Sequence, residues 1–555
     1  MRLPRLTLPL ALLFLSVARP QGMEKKLDVR VPMRDGVDLS ANVFHPPGGR
    51  RMPAILIRTP YGKGADISST YLLFVQNGYA VVIQDVRGRG DSEGVFGSLP
   101  QEVTDGHDTL DWIAAQPWSN GKIGMTGGSY LGIVQWQAAI SGNPYLKAIS
   151  PAVSGCDEYL DRFYSPGGAL KLGHRLLWLS ENLRAPGFPP VGFQKFVLNL
   201  PLRTSDHAAT GQTLEIFQEA LAHPEYDSFW KSVSTREHLE KVHVPVLAFG
   251  GWYDNYVESD LEAFSRLRKL SREARIVIGP WAHNAPSRLP GFDYGPETNL
   301  SIRRLQLAWF DRWLKSAAPA KAEPPVRIFV MGINRWRDER EWPPATARQT
   351  SFYLSRGGRL LAKKPAQSAP EQFVYDPRKP VPSMGGAVCC DPGVFPWGPM
   401  DQRPVEKRPD VLVYTGPLLK RALEVTGPIR VVLYASTTAV DTDFTAKLVD
   451  VFPDGRAINL SDGILRLRYR ESLERAKLAR PGEIYPLSID AGVTSNVFRK
   501  GHRIRLEISS SNFPRFDRNP NTGGSIAGET KLRVATQTIY HDAAHPSHLL
   551  LPVVP

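Results

Sequence analysis

The chain predicts an α/β domain interrupted by a helical block and followed by an all-β domain. Three observations carry this. Short apolar runs alternate with helical periodicity over residues 23–153. The strand pattern stops at 154–243, returns over 244–316, and gives way at 317–555 to strand candidates separated only by turn signals.

Residues 1–22 stand apart as a leader. Arg2 and Arg5 precede a leucine-rich run too short to span a bilayer, and small residues around Ala18 offer a cleavage site. The expectation is export, to the periplasm or beyond. In the first α/β stretch, residues 54–58, 80–85 and 123–126 read as strands, while 103–115 and 131–140 repeat apolar residues at helical spacing. Such alternation argues for a mostly parallel sheet covered by helices. Helical runs at 169–183 and 214–222, broken by APGFPPVGF, make 154–243 a cap inserted into the sheet domain. A Pro/Ala/Lys linker at 317–325 precedes VRIFVMG, IRVVLYAS, FTAKLVDVF and HRIRLEISS, which read as a sandwich or jelly roll.

The formal charge of +13, from 68 basic and 55 acidic residues, does not mark a nucleic-acid binder, because the arginines are scattered. The densest cluster, RLRYRE at 466–471, alternates at period two and reads as a strand with one wet face. No run after the leader is long and apolar enough for a membrane helix. The three cysteines, Cys156, Cys389 and Cys390, cannot form a disulfide framework. Two are adjacent, where a bridge is strained and rare, and a bridge from Cys156 to either stays open.

The chemistry concentrates at Gly-Gly-Ser129-Tyr, between an apolar strand and a helical run. A strand-turn-helix with serine at its apex lifts a hydroxyl out for nucleophilic attack. The fifth position of the usual G-x-S-x-G is Leu131, and the glycine comes one later at Gly132. An aspartate after a second apolar strand (VPVLAFGGWYD, Asp254) and a histidine after a third (ARIVIGPWAH, His283) complete the order Ser, Asp, His, that of an α/β-hydrolase triad. Ser129 is the expected nucleophile, His283 the base and Asp254 the orienting acid, with Glu258 and Asp260 as rivals. The oxyanion needs two donors. The Tyr130 amide supplies one, and the Tyr61 hydroxyl, in a Thr-Pro-Tyr-Gly loop without an HGGG motif, supplies the other. His541 and His545 have ligand-like spacing, but their AAHPSH context is a Pro-broken loop, so no metal is expected there.

The stretches RTPYGK, DVRGRGDSEG, GKIGMTGGSYLG, GGWYDNYVE and GPWAHN, with long blocks such as AVDTDFTAKLVDVFPDGRAINLSDGILRLRYRE, resemble the bacterial cocaine esterase group within the X-prolyl dipeptidyl-peptidase superfamily. The resemblance runs from about residue 25 to the C-terminus. It implies an α/β-hydrolase domain with an inserted helical cap, a C-terminal jelly roll, and hydrolysis of small esters or amides through an acyl-enzyme without a cofactor. The same five residues, Ser129, Asp254, His283, Tyr61 and Tyr130, carry over. Related α-amino-acid ester hydrolases place acids two and three positions beyond the catalytic aspartate, where this chain has Tyr256 and Val257. A small apolar or aromatic acyl group is then expected, with Tyr256, Trp178 and Phe163 as pocket walls. Two other readings stay open: an X-Pro dipeptidyl peptidase, and a non-catalytic protein that binds through the β domain. The oligomeric state is unassigned.

Overall fold

The computed structural model describes residues 22–97, 99–284, 289, 292–318 and 323–555. The leader at 1–21 and the linker residues 319–322 lie outside the described residues. The first sheet begins with β1 (Glu24–Pro32), β2 (Asp38–His45), β3 (Met52–Thr59), β4 (Ala80–Asp85) and β5 (Ser119–Gly128). It continues with β6 (Leu146–Ala152), β7 (Val246–Gly251), β8 (Ala274–Gly279), β9 (Val326–Val330) and β10 (Arg335–Glu339), in the order β1-β2-β4-β3-β5-β6-β7-β8-β9-β10. From β4 to β9 every pairing is parallel, and antiparallel strands close both edges.

Parallel strands covered on both faces need continuous apolar runs, and every residue of β3 (MPAILIRT) and β4 (AVVIQD) is buried. The period of two divides them. Ala54 and Leu56 enter one core, with α2 (Leu99–Ala115) and α3 (Tyr130–Ile140) above it, whereas Ile55 and Ile57 enter the other. There they meet Phe74 of α1 (Ser69–Gln76) and Phe310 of the helix Ile302–Lys315. Between β6 and β7 the chain leaves the sheet for a π-helical turn at Glu158–Phe163, then α4 (Leu172–Asn182) and shorter helices such as Glu215–Ala222. After β7 it resumes with α5 (Val257–Lys269).

The C-terminal domain is all-β and built mainly of antiparallel pairs, among them Leu423–Thr437 with Tyr485–Phe498 and Asp443–Val451 with Ala457–Arg466. It is fastened to the helical insertion. The Leu170 amide donates to Asp517 at 2.9 Å, the Asp517 amide returns a bond to Leu170 at 2.8 Å, and Gly173 donates to Pro514 at 2.7 Å. At Gly167 a Cβ would lie 1.9 Å from the Ile464 carbonyl oxygen, so only glycine permits that approach.

Three expectations are corrected. VRIFVMG, read as the first strand of the β domain, is β9 and extends the parallel sheet beside β8. It also touches the β domain, since the Met331 amide donates to Ser495 and the Val497 amide to Met331. Second, RLRYRE is not a strand with a wet face. Pairing ends at Arg466, a 3-10 turn follows at Leu467–Tyr469, and the arginines point inward. Arg466 grips Asp443 through two bonds of 2.9 Å and Asp517 at 2.8 Å, and Arg468 reaches Asp441 at 2.7 Å. Alternation cannot reveal acids supplied from distant strands. Third, Cys389 and Cys390 are bridged to each other and joined by a cis peptide, while Cys156 is a free, buried thiol. Its sulfur lies 3.6 Å from the Ser259 hydroxyl, and burial pushes its pKa well up.

Candidate active site

Ser129 occupies the junction between β5 and α3 with φ 58° and ψ −127°, a region that L-residues avoid. The surrounding glycines make room for that turn. A Cβ on Gly127 would sit 2.4 Å from the Leu131 Cβ. One on Gly132 would sit 2.5 Å from the Ser154 Cβ and 3.3 Å from the Ala152 oxygen. The glycine displaced to position 132 is therefore where α3 passes closest to the end of β6. The Ser129 amide is used internally, donating to Ala152 at 2.9 Å.

Asp254 follows β7 and His283 follows β8, so both reach the carboxyl edge of the parallel sheet that carries Ser129. His283 Nε2 lies 2.9 Å from Ser129 Oγ, and its Nδ1 lies 2.7 Å from Asp254 Oδ2. Asp254 is fully buried, and its second oxygen accepts the Tyr256 amide at 3.0 Å. The rivals are engaged elsewhere: Asp260 accepts the Gly155 amide at 2.9 Å, and Glu258 lies on α5 beyond the site.

Tyr61, in the loop after β3, is 45% exposed, and its hydroxyl accepts the Trp178 indole N–H at 3.2 Å. That bond leaves the phenolic proton free to donate. The Tyr130 amide opens α3, where a helix leaves its first N–H groups without internal partners. The Tyr130 hydroxyl is turned away, donating to Glu102 at 2.8 Å, and its ring lies parallel to Trp178. Tyr256 packs its ring 5.5 Å from that of His283, and burial pushes its hydroxyl up to about 12.

A small pocket opens beside the Ser129 hydroxyl. Ser129, Tyr61, Tyr130, Trp178 and Tyr256 all line it. Phe163 does not: it is buried behind Arg175, against Trp230. The sequence reading missed Arg162, His174 and Arg175 from the helical insertion, and Cys389 and Cys390 from the β domain. Arg175 precedes Trp178 by three positions on α4, a spacing that puts both on one helix face and was a usable signal. No local pattern points to the cysteines. His541 and His545, for their part, pair with Glu371 and Asp542 far from this pocket.

A hydroxyl, an imidazole and a buried carboxylate in one hydrogen-bonded line at the edge of a parallel sheet define the architecture of an α/β serine hydrolase. The model of the X-Pro dipeptidyl-peptidase (S15 family) matches residues 35–285, and that of the X-Pro dipeptidyl-peptidase C-terminal non-catalytic domain matches 318–550. Cocaine esterase from Rhodococcus sp. (strain MB1 Bresler) is 42% identical over 565 residues, covering 95% of this chain and 98% of that protein. Among solved structures, an α-amino acid ester hydrolase superposes with a TM-score of 0.86 at 29% identity, over 96% of each chain. An aminopeptidase from a marine-sediment Thaumarchaeota archaeon gives 0.86 at 28%, again over 96% of each. The chain belongs to the X-Pro dipeptidyl-peptidase (S15) family.

Proposed function

We propose that the protein hydrolyses carboxylic esters through an acyl-enzyme on Ser129. The observation that carries this is the chain of two short contacts, Ser129 to His283 and His283 to Asp254. His283 takes the hydroxyl proton as Ser129 attacks the ester carbonyl, and then gives it to the departing alcohol. Asp254 fixes the ring so that a bare Nε2 faces the serine, and stabilises the imidazolium. The Tyr130 amide and the Tyr61 hydroxyl receive the charge that develops on the carbonyl oxygen. Water, activated by the same imidazole, then releases the acid.

The pocket argues against the peptidase reading. A dipeptidyl peptidase must grip a protonated N-terminus, yet the pocket wall carries two arginines and no carboxylate among the described residues. The hydrogen-bonded line of three side chains argues against a purely binding role. Export belongs to the same proposal and rests on the leader sequence, with Arg2 and Arg5 ahead of a short leucine-rich run and small residues around Ala18. N-terminal sequencing of the mature protein should begin just after Ala18.

The test of the chemistry is intact mass after fluorophosphonate treatment, beside a Ser129→Ala control. One adduct on the native chain and none on the variant is expected. An unlabelled native chain would overturn the acyl-enzyme.

A further inference from the structure

The two arginines of the pocket differ. Arg162 is neutralised, with Nη1 2.8 Å from Glu158 Oε2. Arg175 has no such partner. Its Nε and Nη2 both donate to the Arg162 carbonyl, at 3.2 and 3.1 Å, and no ion pair reaches it among the described residues. Its Nη1 donates to nothing there. The guanidinium is held by its faces, with Cζ 4.7 Å from the Phe163 ring centre and 5.6 Å from that of Trp178. Aromatic faces fix such a group while leaving its edge free to donate.

Only 3% of Arg175 is exposed. A cation removed from water without a counter-charge is costly, and such groups are normally paired. Burial and the neighbouring Arg162 pull Arg175 down to about 10, so it remains charged at neutral pH. His174, also on α4 and lining the pocket, presents a buried Nε2 without a hydrogen-bond partner. Burial, aided by Arg175 and Lys171, drives its pKa well down and keeps it neutral, so it does not compete for an anion. With Glu158 spent on Arg162, the pocket holds one uncompensated positive charge beside the nucleophile.

The exposed Tyr61 marks the open side of the pocket, through which an alcohol can depart. With the departing alcohol placed at that exposed edge, the group that stays on Ser129 is directed toward the buried Arg175. We propose that Arg175 binds a carboxylate at the far end of the acyl group, making monoesters of short or aromatic dicarboxylic acids the preferred substrates. This rests on the ester-hydrolase reading above. The acyl spacer lies between Trp178 and Tyr256, and each turnover consumes one water and yields the free dicarboxylate and an alcohol. The small apolar or aromatic acyl group expected from the sequence would, on this proposal, carry a charged tip.

The test uses isosteric pairs: monoethyl glutarate against ethyl 5-oxohexanoate, and monoethyl terephthalate against ethyl 4-acetylbenzoate. The expected kcat/KM favours the acid of each pair by roughly tenfold or more, since a site built around a buried charge discriminates strongly against a neutral analogue. Arg175→Leu should bring that ratio to about one or below, and Arg175→Lys should restore part of it. A wild-type enzyme that turns over the neutral esters as well as the acids overturns the proposal. If Arg175→Leu is lost to misfolding, competition on the wild type decides. Glutarate inhibiting while glutaramide does not supports the carboxylate site, and equal inhibition refutes it. Failure on all four esters together with no fluorophosphonate adduct would instead remove the hydrolase reading itself.

Discussion

Gly132→Ala adds one methyl group at a close contact between α3 and the chain after β6. Its Cβ would lie 2.5 Å from the Ser154 Cβ and 2.8 Å from the Ser154 hydroxyl. Ordinary carbon contacts begin near 3.5 Å, so α3 and the chain after β6 must part by about 1 Å. Neither side yields freely: Ser154 is buried, and the start of α3 is anchored to β6 through the hydrogen bond that the Ser129 amide donates to the Ala152 carbonyl. Overpacking of this kind costs about 1–3 kcal/mol of stability. The strain falls on the turn that aims Ser129 at His283, and a misplacement of about 1 Å can cost on the order of a hundredfold in rate. The assay is kcat/KM on an activated ester with thermal melting, for Gly132→Ala, Ser154→Gly and the double variant. The double variant should recover most of the loss, because it deletes the atom that clashes. Wild-type rate and stability in Gly132→Ala alone would refute the packing argument, and failure of the double variant to recover would place the strain elsewhere.

Tyr61→Phe should lower kcat by about a hundredfold or more while KM changes little, because the lost donor acts on charge present only in the transition state; steady-state kinetics on a neutral ester reads this directly. Burial raises Glu507 to about 7, with Glu406 pushing the same way and Lys447, 3.3 Å away, opposing. A carboxyl that binds its proton more tightly folded than unfolded stabilises at low pH, and that contribution is lost as pH rises from about 4.5 to about 7. Melting temperature should accordingly slope downward across that window, and Glu507→Gln should flatten the slope. Native protein should resist alkylation by iodoacetamide; unfolding should expose the single thiol of Cys156, and unfolding with reduction all three cysteines, counted by intact mass.

Much of the proposed catalytic line was legible because its determinants are local. Ser129 announces itself by glycines at a strand-to-helix turn, and Asp254 and His283 each close an apolar strand. The sheet and its interruption were readable from the same periodicities. What stayed hidden depends on distant partners. Arg466 looks like a solvent-facing residue until Asp443 and Asp517 come in from other parts of the domain. β9 has the composition of any buried strand, and only the free edge of β8 decides which sheet takes it. Arg175 shows in the sequence only as a basic residue sharing a helix face with Trp178, and its significance lies in what fails to face it. Cys389 and Cys390 sit far from the triad in sequence and reach the pocket through the packing of one domain against another.

That last placement bears on how this enzyme can be cut, shuffled or inherited. The β domain contributes none of the reacting groups, yet it supplies part of the wall that a substrate meets, and it is stitched to the helical insertion through Leu170 and Asp517. A chimera that kept residues 23–316 and borrowed its C-terminal half from a relative would retain the reactive serine while exchanging a share of its substrate choice. Selectivity can therefore diverge by changes in a domain that never touches the departing proton.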